Sequence, residues 1–96
     1  MPVTFVVLLW PVEGHADELH AYEDDVLRLV SAHGGRVLAR ASRTDDDPSR
    51  PLETQIIEFA DRAGFDAYMA DPHRMSMADR RTSCVARTEL WPVTTT

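Results

Sequence analysis

Apolar runs and amphipathic stretches alternate along this chain. Val3 to Trp10 is β-branched and aromatic with little alternation, which predicts a central strand buried on both faces. Pro11 stops it, and Gly14, His15 and Ala16 form a loop. Asp17 is the expected N-cap of a first helix. In it Leu19, Tyr22, Val26, Leu29, Val30 and His33 recur at helical spacing, with Glu18, Glu23, Asp24, Asp25 and Arg28 on the other faces. Gly34-Gly35 ends the helix, one of the two taking the left-handed conformation that glycine adopts freely.

Arg36 to Arg43 alternates and predicts a second strand; Thr44 to Pro51, rich in aspartate and proline, predicts an exposed loop. Glu53 to Phe59 is the third strand, with Thr54, Ile56 and Glu58 facing opposite to Gln55, Ile57 and Phe59. Asp61 caps a second helix carrying Phe65, Tyr68 and Met69 on one side, and Asp71-Pro72 restarts it as a capping Asp followed by Pro at the first helical position. His73 to Arg81 follows, with Met75 and Ala78 as its expected buried contacts. Cys84 to Trp91 is the last strand, with Val85, Arg87, Glu89 and Trp91 on one face and Ala86, Thr88 and Leu90 on the other. The order is strand–helix–strand–strand–helix–strand. Right-handed crossovers and a central hairpin turn it into an α+β, ferredoxin-like βαββαβ fold: a four-stranded antiparallel sheet with helices on one face, one domain over residues 1–96. The helix-free face carries Val, Ile and Trp, and pairing two such sheets face to face would cover it.

Length strengthens the expectation of a homodimer. A chain of 96 residues buries only about 60–68% of its unfolded surface, so a monomer is modestly stable. The net charge of −6, with sixteen acids against ten bases, all arginine, argues against nucleic acid as a partner. The lone cysteine, Cys84, excludes an intrachain disulfide. The N-terminal apolar run has no basic flank and is too short for a signal core or a membrane span, so a soluble cytoplasmic protein without membrane association is expected.

Candidate chemistry centres on His73, where a neutral imidazole at the start of a short helix could move a proton near neutral pH. The alternative is a solvent-facing loop histidine. Glu58 is a charge on an apolar strand: either a general base raised by desolvation, with Arg40, Arg87 or Glu89 near it, or part of an ion-pair network at a dimer interface. Tyr22, Tyr68, Trp10 and Trp91 would line or border an apolar cavity, with Arg87 contributing to substrate binding; packing is the competing role for the aromatics. Met69, Met75 and Met77 would form a soft wall or simply pack. His33 closes the first helix, and His15 and His20 read as loop and surface residues. No His-x-x-x-His or clustered Cys/His spacing supports a metal.

Several segments together resemble the dimeric α+β barrel superfamily, and within it an uncharacterised small-protein family. They are Tyr22, the Ala32-His-Gly-Gly-Arg-Val-Leu-Ala-Arg40 junction, Glu53, Ile56-Ile-Glu-Phe59, Phe65-x-x-Tyr68 and Asp71-Pro72-His73-Arg74. The superfamily includes cofactor-free antibiotic-biosynthesis monooxygenases, muconolactone isomerase-like proteins and polyketide cyclases. The resemblance implies a homodimer with a pocket in each subunit, a small apolar or aromatic ligand and no cofactor. The Trp and Asn pattern of quinone-forming monooxygenases is missing. Two function classes follow. One is a cofactor-free enzyme acting by acid–base chemistry on a small, largely apolar oxygenated metabolite, by isomerisation, cyclisation or oxygenation. The other is a non-catalytic binding or structural dimer.

Overall fold

The structure, a computed structural model, describes residues 1–96. Strand β1 (Val3–Pro11) leads into helix α1 (Ala16–Val26), which tightens into a 3-10 helix over Leu27–His33. Strands β2 (Gly35–Ser42) and β3 (Glu53–Phe59) form the expected hairpin. Helices α2 (Arg62–Met69), α3 (Pro72–Ser76) and α4 (Ala78–Cys84) then precede β4 (Val85–Val93). All strand pairs are antiparallel, in the spatial order β2-β3-β1-β4, which is the ferredoxin-like α+β arrangement. No helix is long and apolar enough to cross a membrane.

Local chemistry explains most boundaries. Asp61 accepts a hydrogen bond from the Gly64 backbone N–H at 2.9 Å and caps α2. Asp71 accepts from the His73 N–H at 2.7 Å, with Pro72 next to it at the first helical position of α3. Gly34 takes the left-handed conformation, φ 73°, as the cap of the 3-10 helix. Its neighbour Gly35 serves differently: a Cβ there would lie 2.7 Å from the Phe59 ring and from Val30.

Three expectations are corrected. His15, not Asp17, occupies the N-cap of α1, without a side-chain bond; Asp17 sits in the first turn, where an acid suits the helix dipole. Cys84 ends α4 rather than starting the last strand, and its buried thiol lies 3.2 Å from the Arg80 carbonyl. Strand β1 is covered on one face only. Phe5, Val7 and Leu9 are buried, whereas Val6, Leu8 and Trp10 are half-buried, because all helices pack on one side of the sheet. The register puts Val6 beside Ile56 and Trp91 on the uncovered face, where Trp91 is 44% exposed.

The core lies between the covered sheet face and the helices. Leu19, Tyr22 and Val26 of α1 meet Phe5, Val7 and Leu9 of β1 and Ile57 and Phe59 of β3. Phe65 stacks on Phe5 with ring centroids 4.2 Å apart and meets Phe59 edge-on at 5.7 Å.

Candidate functional site

This core is not filled. A cavity of about 190 Å³ lies between sheet and helices. Its walls are mainly apolar, including Phe5, Val7, Ile57, Phe59, Phe65 and Leu90. Set into them are the polar side chains of Tyr22, Glu23, Gln55, Tyr68, Arg74, Arg81 and Thr88. Such a wall, apolar with a few convergent polar groups, is the usual make-up of a small-molecule site.

Glu23 is the acid of this cavity. It is 5% exposed, and burial pushes its carboxyl above the ordinary value; the hydrogen bond from Gln55 opposes the shift and the Glu53 charge adds to it. Gln55, 1% exposed, donates its side-chain amide to Glu23 at 2.7 Å and to Glu53 at 2.9 Å. Behind it Glu53 is fully engaged. Arg40 donates to both its oxygens and reaches Asp24 at 2.6 Å. His20 Nδ1 lies 2.7 Å from the second Glu53 oxygen, and its Nε2 lies 3.1 Å from the Ser42 hydroxyl. Burial raises the Glu53 carboxyl, but the bonds from Arg40, Gln55 and His20 outweigh it and leave the group below its usual range. Two buried glutamates, joined by one amide, are thus pushed in opposite directions.

The two tyrosines stand on the helical side. Burial pushes both phenols up, with the Arg74 guanidinium drawing Tyr68 partly back. Arg74 lies over the Tyr68 ring, 5.2 Å from its centroid, and Arg80 lies over the Tyr22 ring at 5.8 Å. His33 ties the 3-10 helix to α3 through a 2.6 Å contact with Asp71 Oδ2 and meets Tyr68 edge-on, with centroids 6.4 Å apart. No group of three or more His, Cys, Asp or Glu side chains is arranged to hold a metal ion.

The expected site residues divide. Tyr22 and Tyr68 line the cavity. His73 does not: it is exposed on α3 while Arg74 lines the wall. Successive helical residues point about 100° apart, so the pocket takes the neighbour. Glu58 falls on the other face of the sheet, paired with Arg36 at 3.1 Å, because strand residues alternate and its neighbours Ile57 and Phe59 face the helices. Trp10 and Arg87 share that uncovered face, opposite each other on β1 and β4, with the guanidinium 4.4 Å from the ring centroid. The Trp10 indole also donates to the Ser49 carbonyl at 3.2 Å. His73 and Glu58 are therefore not brought together, and neither borders the cavity.

Glu23, Gln55, Arg74 and Arg81 were not among the residues expected from the sequence. Glu23 had a signal: it stands four residues after Leu19 and three before Val26, inside the apolar stripe of α1. Gln55 shares the period-two face of Ile57 and Phe59.

No family model matches the chain, and no curated protein matches its sequence. Solved structures match its fold. A Pseudomonas aeruginosa protein superposes with a TM-score of 0.79 at 15% identity, covering 99% of this chain and 94% of its own. A Mesorhizobium loti dabb family protein with a ferredoxin-like fold gives 0.71 at 17% identity, covering 99% and 97%. This chain has their ferredoxin-like fold. A Bacteroides thetaiotaomicron protein described as a candidate antibiotic biosynthesis monooxygenase gives 0.75 at 18% identity, covering 98% and 89%. At these identities the likeness speaks for fold.

Proposed function

We propose that the cavity binds a small, largely apolar, oxygenated metabolite and that Glu23 moves a proton on it by cofactor-free acid–base catalysis. The observation that carries this is the placement of Glu23, a buried carboxyl of raised proton affinity in an apolar wall that also carries Tyr22 and Tyr68. As carboxylate it takes a proton from the carbon between a carbonyl and a carbon–carbon double bond; as acid it returns that proton to the far carbon of the resulting dienolate, moving the double bond into conjugation in an isomerisation that balances by itself. Hydrogen bonds from the Tyr22 and Tyr68 hydroxyls would stabilise the enolate oxygen. Gln55 acts as a positioning residue, holding one carboxyl oxygen through its amide.

The test is hydrogen–deuterium exchange of enolisable aromatic ketones in D2O, followed by NMR. Wild-type protein should catalyse the exchange, and Glu23→Gln should slow it by about 10²-fold or more. Exchange at the wild-type rate in Glu23→Gln overturns the role of Glu23. A second reading, binding without turnover, is favoured by the bond that Gln55 makes to Glu23; ligand uptake with no exchange by any tested ketone would support it.

We further propose that the uncovered sheet face pairs with a second copy of the chain. Val6, Leu8, Ile56 and Trp91 lie together there, and the charges among them, Arg36 with Glu58 and Arg87 with Glu89, are already paired within the sheet.

A further inference from the structure

We propose that the cavity contains an anion subsite formed by Arg74 and Arg81, and that its ligand is a small apolar acid whose carboxylate seats between the two guanidiniums. This rests on reading the cavity as a small-molecule site, and it adds the charge of the molecule.

The chain has six more acids than bases, and its arginines are largely engaged by carboxylates. Arg36, Arg40 and Arg50 all have partners within 4 Å, as do Arg62, Arg80 and Arg87. Arg74 and Arg81 have none, yet both line this largely apolar cavity. An unpaired guanidinium at an exposed position is ordinary; two around one apolar cavity are not, because desolvated charge costs free energy until it is paired.

The hydrogen bonding points the same way. Arg74 Nε is buried and has no acceptor, and it is the one such side-chain atom in the protein. The Arg74 guanidinium lies against Tyr68, and its hydrogen bond to backbone is long, 3.5 Å from Nη1 to the Met69 carbonyl. Arg81 donates from Nη2 to the Thr88 hydroxyl at 2.6 Å, which orients its fork. Each guanidinium has five N–H groups, more than these bonds use, and the buried Arg74 Nε is one that lacks a partner. Glu23, the sole acid in the cavity wall, does not serve them; it accepts from Gln55 and lies beyond ion-pair distance of both arginines. A carboxylate spanning Nε and an Nη atom of Arg74 would make the bidentate pair that guanidinium geometry favours.

Size limits the body of the acid. Apolar cavities of about 150 Å³ take up benzene. At about 190 Å³ this cavity suits a single ring or a short branched chain, with Phe5, Phe59 and Phe65 as its apolar wall.

The experiment titrates the protein with benzoate and cinnamate, and separately with benzamide and cinnamamide. Binding is read from NMR shifts of Val7, Val26 and Leu90, which line the cavity. The acids should bind about tenfold more tightly than their isosteric amides. Arg74→Gln and Arg81→Gln should each abolish that preference, and Arg74→Lys should keep part of it. Circular dichroism checks the variants, and the wild-type acid-to-amide ratio needs no variant at all. Equal wild-type affinity for acid and amide overturns the subsite and leaves the cavity reading standing; so does a preference that survives both Gln variants. If none of the four probes shifts the lining residues, the subsite and the small-molecule reading both fall.

Discussion

Gln55 joins Glu23 across 2.7 Å, a hydrogen bond from an inner strand of the sheet to the first helix in which both partners are almost fully buried. The same amide nitrogen also serves Glu53. One neutral side chain therefore separates a carboxyl that burial pushes up from one that cationic partners hold down.

Glu23→Gln should leave stability unchanged or raise it at neutral and alkaline pH. The folded-state value of Glu23 lies above its unfolded value, so its contribution is fully present below about pH 4.5 and declines as pH rises through the folded value. A glutamine keeps an oxygen for Gln55 and removes the titration. Denaturant midpoints measured on both sides of the unfolded value check this; a variant that loses stability on the alkaline side contradicts it.

Glu53→Ala should have the opposite character and cost about 3 kcal/mol at neutral pH, because it leaves Arg40 and Gln55 without their buried acceptor. The folded-state value of Glu53 lies below its unfolded value, so its contribution is present above the unfolded value and is lost as pH falls through the folded one. The stability gap between wild type and Glu53→Ala should shrink on acidification, measured by urea unfolding across that range.

The fold was legible because it is written in long-range periodicities. Strand order, the 53–59 face alternation, the Asp61 and Asp71 caps and the Gly-Gly stop all follow from spacing and local chemistry. The site was half legible. Tyr22 and Tyr68 announce themselves as aromatics on apolar faces, but the choice between neighbours a residue apart depends on packing. His73 and Glu58 were attractive for their chemistry, whereas Arg74 and the Ile57 face are turned inward by geometry. Glu23 was hidden among the acids Asp24 and Asp25 beside it, though its own position belongs to the buried stripe.

His73→Ala should accordingly change stability by no more than about 0.5 kcal/mol and leave ligand affinity at the wild-type value, since the side chain is exposed and outside the cavity. Thermal unfolding and the NMR titration read the two quantities. A marked loss of ligand affinity would return His73 to the site.

Gly34→Val and Gly35→Val should each destabilise the fold by more than about 1 kcal/mol, for different reasons. At position 34 the penalty is the left-handed backbone, and at position 35 it is collision with Phe59 and Val30. Alanine separates them: at 35 the first added carbon already collides, whereas at 34 it has room, 3.8 Å from Ala60 Cβ, and meets only the backbone penalty. Denaturant unfolding of the four variants checks the order.

Ile56→Arg should convert a dimer to a monomer while preserving the fold, because it places a charge in the middle of the uncovered face. Light scattering on the wild type at micromolar concentration should give twice the chain mass, with an interface of more than about 1,000 Å² in total. A monomeric wild type contradicts the pairing.

Strand β1 works as a party wall. Its odd positions, Phe5, Val7 and Leu9, look into the cavity, and its even positions, Val6 and Leu8, look out to the surface proposed for assembly. Two selective pressures are thus interleaved along one segment at single-residue spacing. A substitution scan of the strand scored for ligand affinity should give one comb of sensitive positions, and the same scan scored for self-association should give its complement.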